Sequence, residues 1–337
     1  MRPRFRRFFG ALAALVVLPS AASAQMQGGP NWDPSVQQFN SGQGGSTGGS
    51  IGGASVPRNT SLDTLNRILS ASQLPALDRS FYLSIRAFQL SRIGRDDDSR
   101  KDIAEMGKLL PSGWQVVMSS TVPELAGGGD RAAALRTLDY GLQRKPGDPW
   151  LVVAQAQVHM QLADFSRALA LLDGVLASAA NAAERRSAHL YRGHANFNLG
   201  AYPQAAADFT ASLEGRTTTK TRLPPLLWRY AAQVHTRDDA RAGLNREIGN
   251  ENLYEWPGPV AKFLLGRMTA GELQVAAESD ATAKRTNGKC PAAFFMAMEA
   301  RRRGDRQRAR EQFQLAQARC PTVSEFNWAA SSELKRL

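Results

Sequence analysis

The chain has 337 residues, 43% hydrophobic and 21% charged, which is enough apolar mass to bury a sizeable core and too much for a disordered chain. Its formal charge of +12 is inflated by Arg2, Arg4, Arg6 and Arg7; without residues 1–24 the chain holds 38 basic against 30 acidic groups, a net of +8. That modest excess does not by itself demand a polyanionic partner.

The N-terminus is basic through Arg7, apolar from Phe8 to Leu18, and reaches Ala22-Ser-Ala24 before Gln25. This is the pattern of a secretory signal peptide spanning 1–24. The apolar run is about half of the ~20 residues that a membrane span requires, so no stable membrane insertion is expected after cleavage. The expected location is the periplasm, which excludes nucleic acid as an ordinary partner. Residues 25–60 hold nine glycines and five serines with almost no charge. Such a stretch cannot bury enough surface to offset its ordering entropy and is expected to be a disordered Gly/Ser-rich tether reaching roughly 30–35 Å. Helical patterning begins after Ser61, an N-cap candidate, with Leu62, Leu65, Ile68 and Leu69 on one stripe.

From there the chain repeats one arithmetic: a small residue, a turn residue seven later, a second small residue at twelve and a large apolar residue at sixteen. Gly193, Gly200, Ala205 and Phe209 obey it, as do Ala156/Ala163/Ala168/Leu172, Ala297/Gly304/Ala309/Phe313 and Ala87/Gly94/Ser99/Ile103. Val122/Gly129/Ala134/Leu138 and Trp228/His235/Ala240/Leu244 are weaker copies. Small residues let the two helices of a hairpin approach, the turn residue closes them, and the large residue fills the space to the next hairpin. Pro111, Pro146 and Pro321 then end second helices. This code resembles the tetratricopeptide repeat. The resemblance implies an all-α solenoid of antiparallel hairpins over 61–337, with clear repeats near 80–112, 148–182, 184–217 and 290–321 and divergent ones near 113–147 and 222–252. In the second repeat Pro123 is expected to interrupt the first helix. Val323 to Leu337 reads as a terminal capping helix with Phe326, Ala329, Ala330, Glu333 and Leu334 divided between an apolar and a polar face.

Cys290 immediately precedes the first helix of the last repeat and Cys320 follows its second. The hairpin brings them to one end, where an oxidising compartment allows a disulfide that stabilises by roughly 3–4 kcal/mol on the chain-entropy estimate.

After residue 186 the order of parts is a clean repeat, Leu227-Trp228, Trp256-Pro257, Phe263-Leu-Leu-Gly266, Gly271-Glu-Leu273 and a final repeat followed by a Phe/Glu-bearing helix. This order resembles the C-terminal half of the NlpI family of bacterial envelope proteins. The resemblance implies an adaptor that brings peptidoglycan hydrolases and a protease together. Lipid anchoring, which that family uses, is not expected, because Ala24-Gln25 stands where a lipoprotein needs cysteine.

The four histidines, His159, His189, His194 and His235, form no metal pair at helical spacing, and no nucleophile set or phosphate-cradling loop is evident. No enzyme activity, cofactor or metal is therefore expected. The candidate site is the concave groove lined by first helices. Groove positions lie three before, and one and five after, the small first-helix residue, which selects Arg92, Gln157, Gln161, Leu190, His194, Asn198, Arg229 and Gln233. These mix hydrogen-bonding groups with apolar area, as an extended peptide or partner helix requires. The expected function is a non-catalytic scaffold for envelope proteins or peptides. A structural subunit of an export, outer-membrane assembly or polysaccharide-synthesis complex is the alternative. The basic run Arg301, Arg302, Arg303, Arg306, Arg308 and Arg310 offers a further face for anionic lipid or acidic glycan.

Overall fold

The computed structural model describes residues 50–51, 54–55, 60–70, 74–236, 238–249, 251 and 253–337. The expected signal segment 1–24 and nearly all of the expected tether 25–60 lie outside the described residues. Within the tether, β1 (Ser50–Ile51) and β2 (Ala54–Ser55) pair antiparallel, Ser50 opposite Ser55, where no strand is expected from the sequence.

The remainder is all-α, with seventeen helices among the described residues. α1 (Leu62–Ser70), capped by the Ser61 hydroxyl, leads into six hairpins. These are α2 (Ala76–Arg92) with α3 (Asp96–Leu109), α4 (Trp114–Ala126) with α5 (Arg131–Arg144), and α6 (Pro149–Gln161) with α7 (Phe165–Ser178). Then come α8 (Ala182–Leu199) with α9 (Tyr202–Ala211) and α10 (Thr219–Gln233) with α11 (Ala240–Ile248). Three short helices, α12 (Gly258–Leu264), α13 (Ala270–Ser279) and α14 (Ala281–Arg285), separate these from the hairpin α15 (Lys289–Arg302) and α16 (Arg306–Arg319). α17 (Glu325–Leu334) follows.

The repeat arithmetic has a direct steric cause. A Cβ added to Gly193 would lie 2.8 Å from the Phe209 ring, so the close approach of α8 and α9 requires a residue without one. Ala168, Ala205 and Ala309 are fully buried at the second small position, and Leu172, Phe209 and Phe313 at the large one. At the turn position Gly94, Gly200 and Gly304 take φ of 76–83°, and Ala163 takes the same left-handed conformation at φ 58° despite its Cβ, at a cost of roughly 1 kcal/mol. An aspartate one residue beyond the turn caps the second helix: Asp130 accepts from the Ala133 amide, Asp164 from Arg167 and Asp305 from Arg308. Asp148 caps α6 ahead of Pro149 in the same way.

Two expectations need correction. Pro123 does not interrupt α4, which runs on to Ala126; only three residues follow the proline, so a single lost backbone bond near the helix end is tolerated. α17 packs on α16 as a terminal helix does, with Asn327 donating to the Gln317 and Cys320 carbonyls, but Glu333, expected on its polar face, is buried together with Glu325, Phe326, Trp328, Ala329 and Ala330, because α17 also meets earlier hairpins. Cys290 and Cys320 are joined by a disulfide with Cα atoms 4.8 Å apart, at one end of the α15/α16 hairpin as the hairpin placement predicts.

Candidate functional site

The first helices of the hairpins, α2, α4, α6, α8, α10 and α15, line the concave face; α17 lies against α6, α8, α10 and α15, and the segment leading into it against α4. Its approach begins at Val323: a Cβ on Gly127, at the C-terminus of α4, would lie 2.6 Å from Val323 Cγ1. Trp328 joins the cluster of Val153, Ala156 and Met160 from α6 with Tyr191 and Ala195 from α8, and its indole N–H donates to the Thr322 carbonyl. Phe326 stacks on Trp228 of α10 at 5.0 Å and meets Phe294 and Phe295 of α15 at 5.5 and 5.8 Å. Ser332 Oγ donates to Asn198 Oδ1 at 2.8 Å, and the Arg336 guanidinium donates to the Asn198 carbonyl. A helix therefore occupies the groove, held by two aromatic slots and a polar end.

That polar end is built around Glu333, whose side chain has no exposure. Tyr202 Oη donates to Glu333 Oε1 at 2.7 Å, and Arg301 and Arg336 lie 3.5 and 3.4 Å from the carboxylate. His235 Nε2 is 3.1 Å from Glu333 Oε2 but off the line of a hydrogen bond, and its ring stacks flat on Tyr202 at 3.6 Å. Burial alone would raise the Glu333 carboxyl; His235, the Tyr202 hydroxyl and Arg301 outweigh it and hold it below the usual carboxylate range. Burial lowers His235, opposed by the neighbouring Glu333 carboxylate, and Arg301 and Arg336 add positive charge at the same site.

A second buried carboxylate organises the neighbouring turn. Glu299 accepts from Tyr230 Oη at 2.6 Å and from Arg302, Arg241 and Arg303 at 2.7–2.9 Å. Burial opposes ionisation there, but the bonds from Arg302, Tyr230 and Arg303 prevail and hold Glu299 at about 2. The basic run is thus partly consumed internally: Arg301 faces Glu333, Arg302 and Arg303 face Glu299, and Arg306 donates to the Leu337 carbonyl. Arg308 and Arg310 remain on the exposed side of α16.

The eight candidate groove residues separate into three groups. Gln157, Leu190, His194 and Asn198 are on the groove side but 3–5% exposed. His194 sits edge-on to Phe209 and Trp228, at 5.1 and 4.6 Å, and burial pushes its imidazole down to about 3. Asn198 accepts from Ser332 of α17. Arg229 and Gln233 face the other way. Arg229 donates to Glu247 of α11 at 3.1 Å and Gln233 lies beside Gly243 of the same helix. The reason is that bulky Trp228, standing where a small residue is the rule, turns to the groove and carries its neighbours round to α11. Arg92 is exposed at the end of α2 and Gln161 donates to the Pro123 carbonyl, bridging α6 to α4. The contacts that sequence reasoning missed are Tyr202, His235 and Arg301. The available signal was α17 itself, where Phe326, Trp328 and an Ala-Ala pair exceed what a surface cap needs.

Comparison with known proteins bears on this face. Residues 125–189 match the tetratricopeptide repeat family. The match runs from the end of α4 through α7 into α8, so it contains the whole α6/α7 hairpin, whose α6 meets Trp328 of α17. A crystal structure of a tetratricopeptide repeat protein from Parabacteroides merdae is similar in chain trace, at a TM-score of 0.40 and 13% identity, covering 75% of this chain and 99% of that one. Comparison with curated proteins yields no match. Among the described residues no helix is long and apolar enough to cross a membrane, and no group of three or more His, Cys, Asp or Glu side chains is placed to hold a metal ion.

Proposed function

We propose that the protein is an exported, non-catalytic scaffold that binds partner proteins through the concave face of its tetratricopeptide array. One observation carries the reading: the face formed by α4, α6, α8, α10 and α15 is complementary to a helix, with aromatic slots and a carboxylate cradle already organised around one. Tetratricopeptide arrays in general serve as protein-interaction scaffolds, which favours a protein ligand over a small molecule. The signal-like N-terminus supports a periplasmic setting. The likeness of residues 187–337 to the NlpI family supports murein hydrolases or a protease as the partners. A fixed place in an export or assembly complex is the second reading. An acidic-glycan role has less support, since half of the basic run is paired internally.

The test is affinity capture from an envelope extract by the secreted chain, at low and at physiological salt. Retention of murein hydrolases or a protease at both salt levels supports the scaffold, because a largely apolar groove resists screening. Retention of acidic polysaccharide alone, lost at physiological salt, overturns it.

A further inference from the structure

We propose that α17 is a resident ligand of the groove, and that the partner of this site is an amphipathic helix of the same chemistry: two aromatic residues two apart, followed five residues on by a carboxylate. The inference rests on the scaffold reading and names its ligand class.

Three features of the structure carry it. The first is the chemistry of the contacts. Phe326 enters a slot of Trp228, Phe294 and Phe295, Trp328 enters the cluster around Val153 and Ala156, and Glu333 enters a cradle of Tyr202, His235 and Arg301. The aromatic slots are supplied by first helices, and the carboxylate cradle by the start of α9, the turn after α10 and the end of α15, together a surface on which helix-in-groove recognition can operate. The second is connectivity. The Cys290–Cys320 disulfide closes the preceding hairpin, and residues 321–324 join it to α17. α17 also packs on α16, where Asn327 donates to the Gln317 and Cys320 carbonyls and Gln317 to Ser331 Oγ, so its departure breaks those bonds but not the bridge that holds α15 to α16. The hairpins keep their own joints, such as Gly193 against Phe209, in which α17 takes no part. The third is an imperfect end. Glu325 is 8% exposed, bonded to its own backbone amide and to Ser324, and burial with the nearby Glu124 of α4 raises its carboxyl. A partner helix with an uncharged residue there would fit better than the resident one. An empty groove would expose Trp228, Phe294 and Tyr191 together, so the process is exchange rather than vacancy.

The experiment uses the whole secreted chain with a specific protease site inserted between Pro321 and Thr322, cut after folding. The probe is a fluorescent synthetic peptide of residues 323–337, followed by anisotropy. We expect the peptide to exchange into the cut protein, with Trp328→Ala and Glu333→Gln peptides at least tenfold weaker, and to bind the uncut chain at least 100-fold less well. A folded cut protein that never exchanges its fragment overturns the proposal, as does one that unfolds when the fragment leaves. Should the insertion itself prevent folding, hydrogen exchange on the unaltered chain decides. Amides of 325–334 opening at least tenfold faster than those of α6 and α8 support the proposal, and equal protection overturns it. As a control on place, Asn198→Cys with Ser332→Cys, whose side chains are 2.8 Å apart in the parent, locks the helix by a second disulfide. Peptide binding to the locked protein would put the site elsewhere and overturn the assignment. Failure of exchange leaves capture by other faces intact, whereas exchange without a captured envelope protein removes only the proposed partner set.

Discussion

The two ends of α17 bury the same side chain in opposite surroundings. Glu325 in the first turn lies where the helix dipole favours an anion, and Glu333 in the last turn where it does not; that effect is about 0.3–1 kcal/mol. The dipole loses at both ends. With no cation beside it, burial pushes Glu325 up to about 7, the nearby Glu124 adding to the rise. Glu333, more deeply enclosed, is held low by His235, Tyr202 and Arg301. Burial decides the sign only where partners are missing. The helix is thus anchored at its C-terminal end and poorly matched at its N-terminal end.

The largest change expected is from Trp328→Ala, which removes the anchor shared by both ends and leaves a cavity between α6 and α8. Denaturant unfolding should show a loss of about 3–5 kcal/mol. Reducing the Cys290–Cys320 bridge should cost roughly 3–4 kcal/mol by chain entropy while leaving both ends of α17 with the same pH response. A pH response altered by reduction would show that the bridge also positions the carboxylates.

Glu333→Gln should cost about 3 kcal/mol at pH 7, since Arg301 and Arg336 then lose their buried countercharge. Equal stability of variant and parent would erase the contrast between the two ends.

Glu325→Gln should act in the opposite direction and only above acid pH. A carboxyl whose folded pKa is about 7, against 4.5 unfolded, contributes its stability fully below pH 4.5 and loses it as pH rises through about 7. The glutamine variant should therefore match the parent near pH 4 and exceed it by about 2–3 kcal/mol at pH 8. His194 works the other way. Its imidazole, lowered by burial to about 3 from 6.5, contributes stability above pH 6.5 that is lost as pH falls toward 3. The two trends overlap in the parent, so the difference between parent and variant is the quantity to measure.

The repeat arithmetic made most of the fold legible before any coordinates. Gly193, Ala205 and Phe209 mark where two helices must touch, and that requirement is local to one hairpin, expressed at fixed spacing. Cys290 and Cys320 were readable for the same reason, lying at the two ends of one hairpin. The groove was legible only in part. Asn198 reaches the groove helix as its register requires, whereas Arg229 and Gln233 turn to α11 because Trp228 breaks the register of its hairpin.

What the sequence by itself determined was the hairpin: small residues, left-handed turns, aspartate caps and proline stops act within some thirty residues. Only the tertiary structure decided what fills the concave face. The meeting of Glu333 with Tyr202, His235 and Arg301 joins residues up to 131 positions apart. It depends on how the curvature of the stacked hairpins returns the end of the array to its middle. No local spacing encodes that curvature, because it accumulates from small packing angles between successive helices.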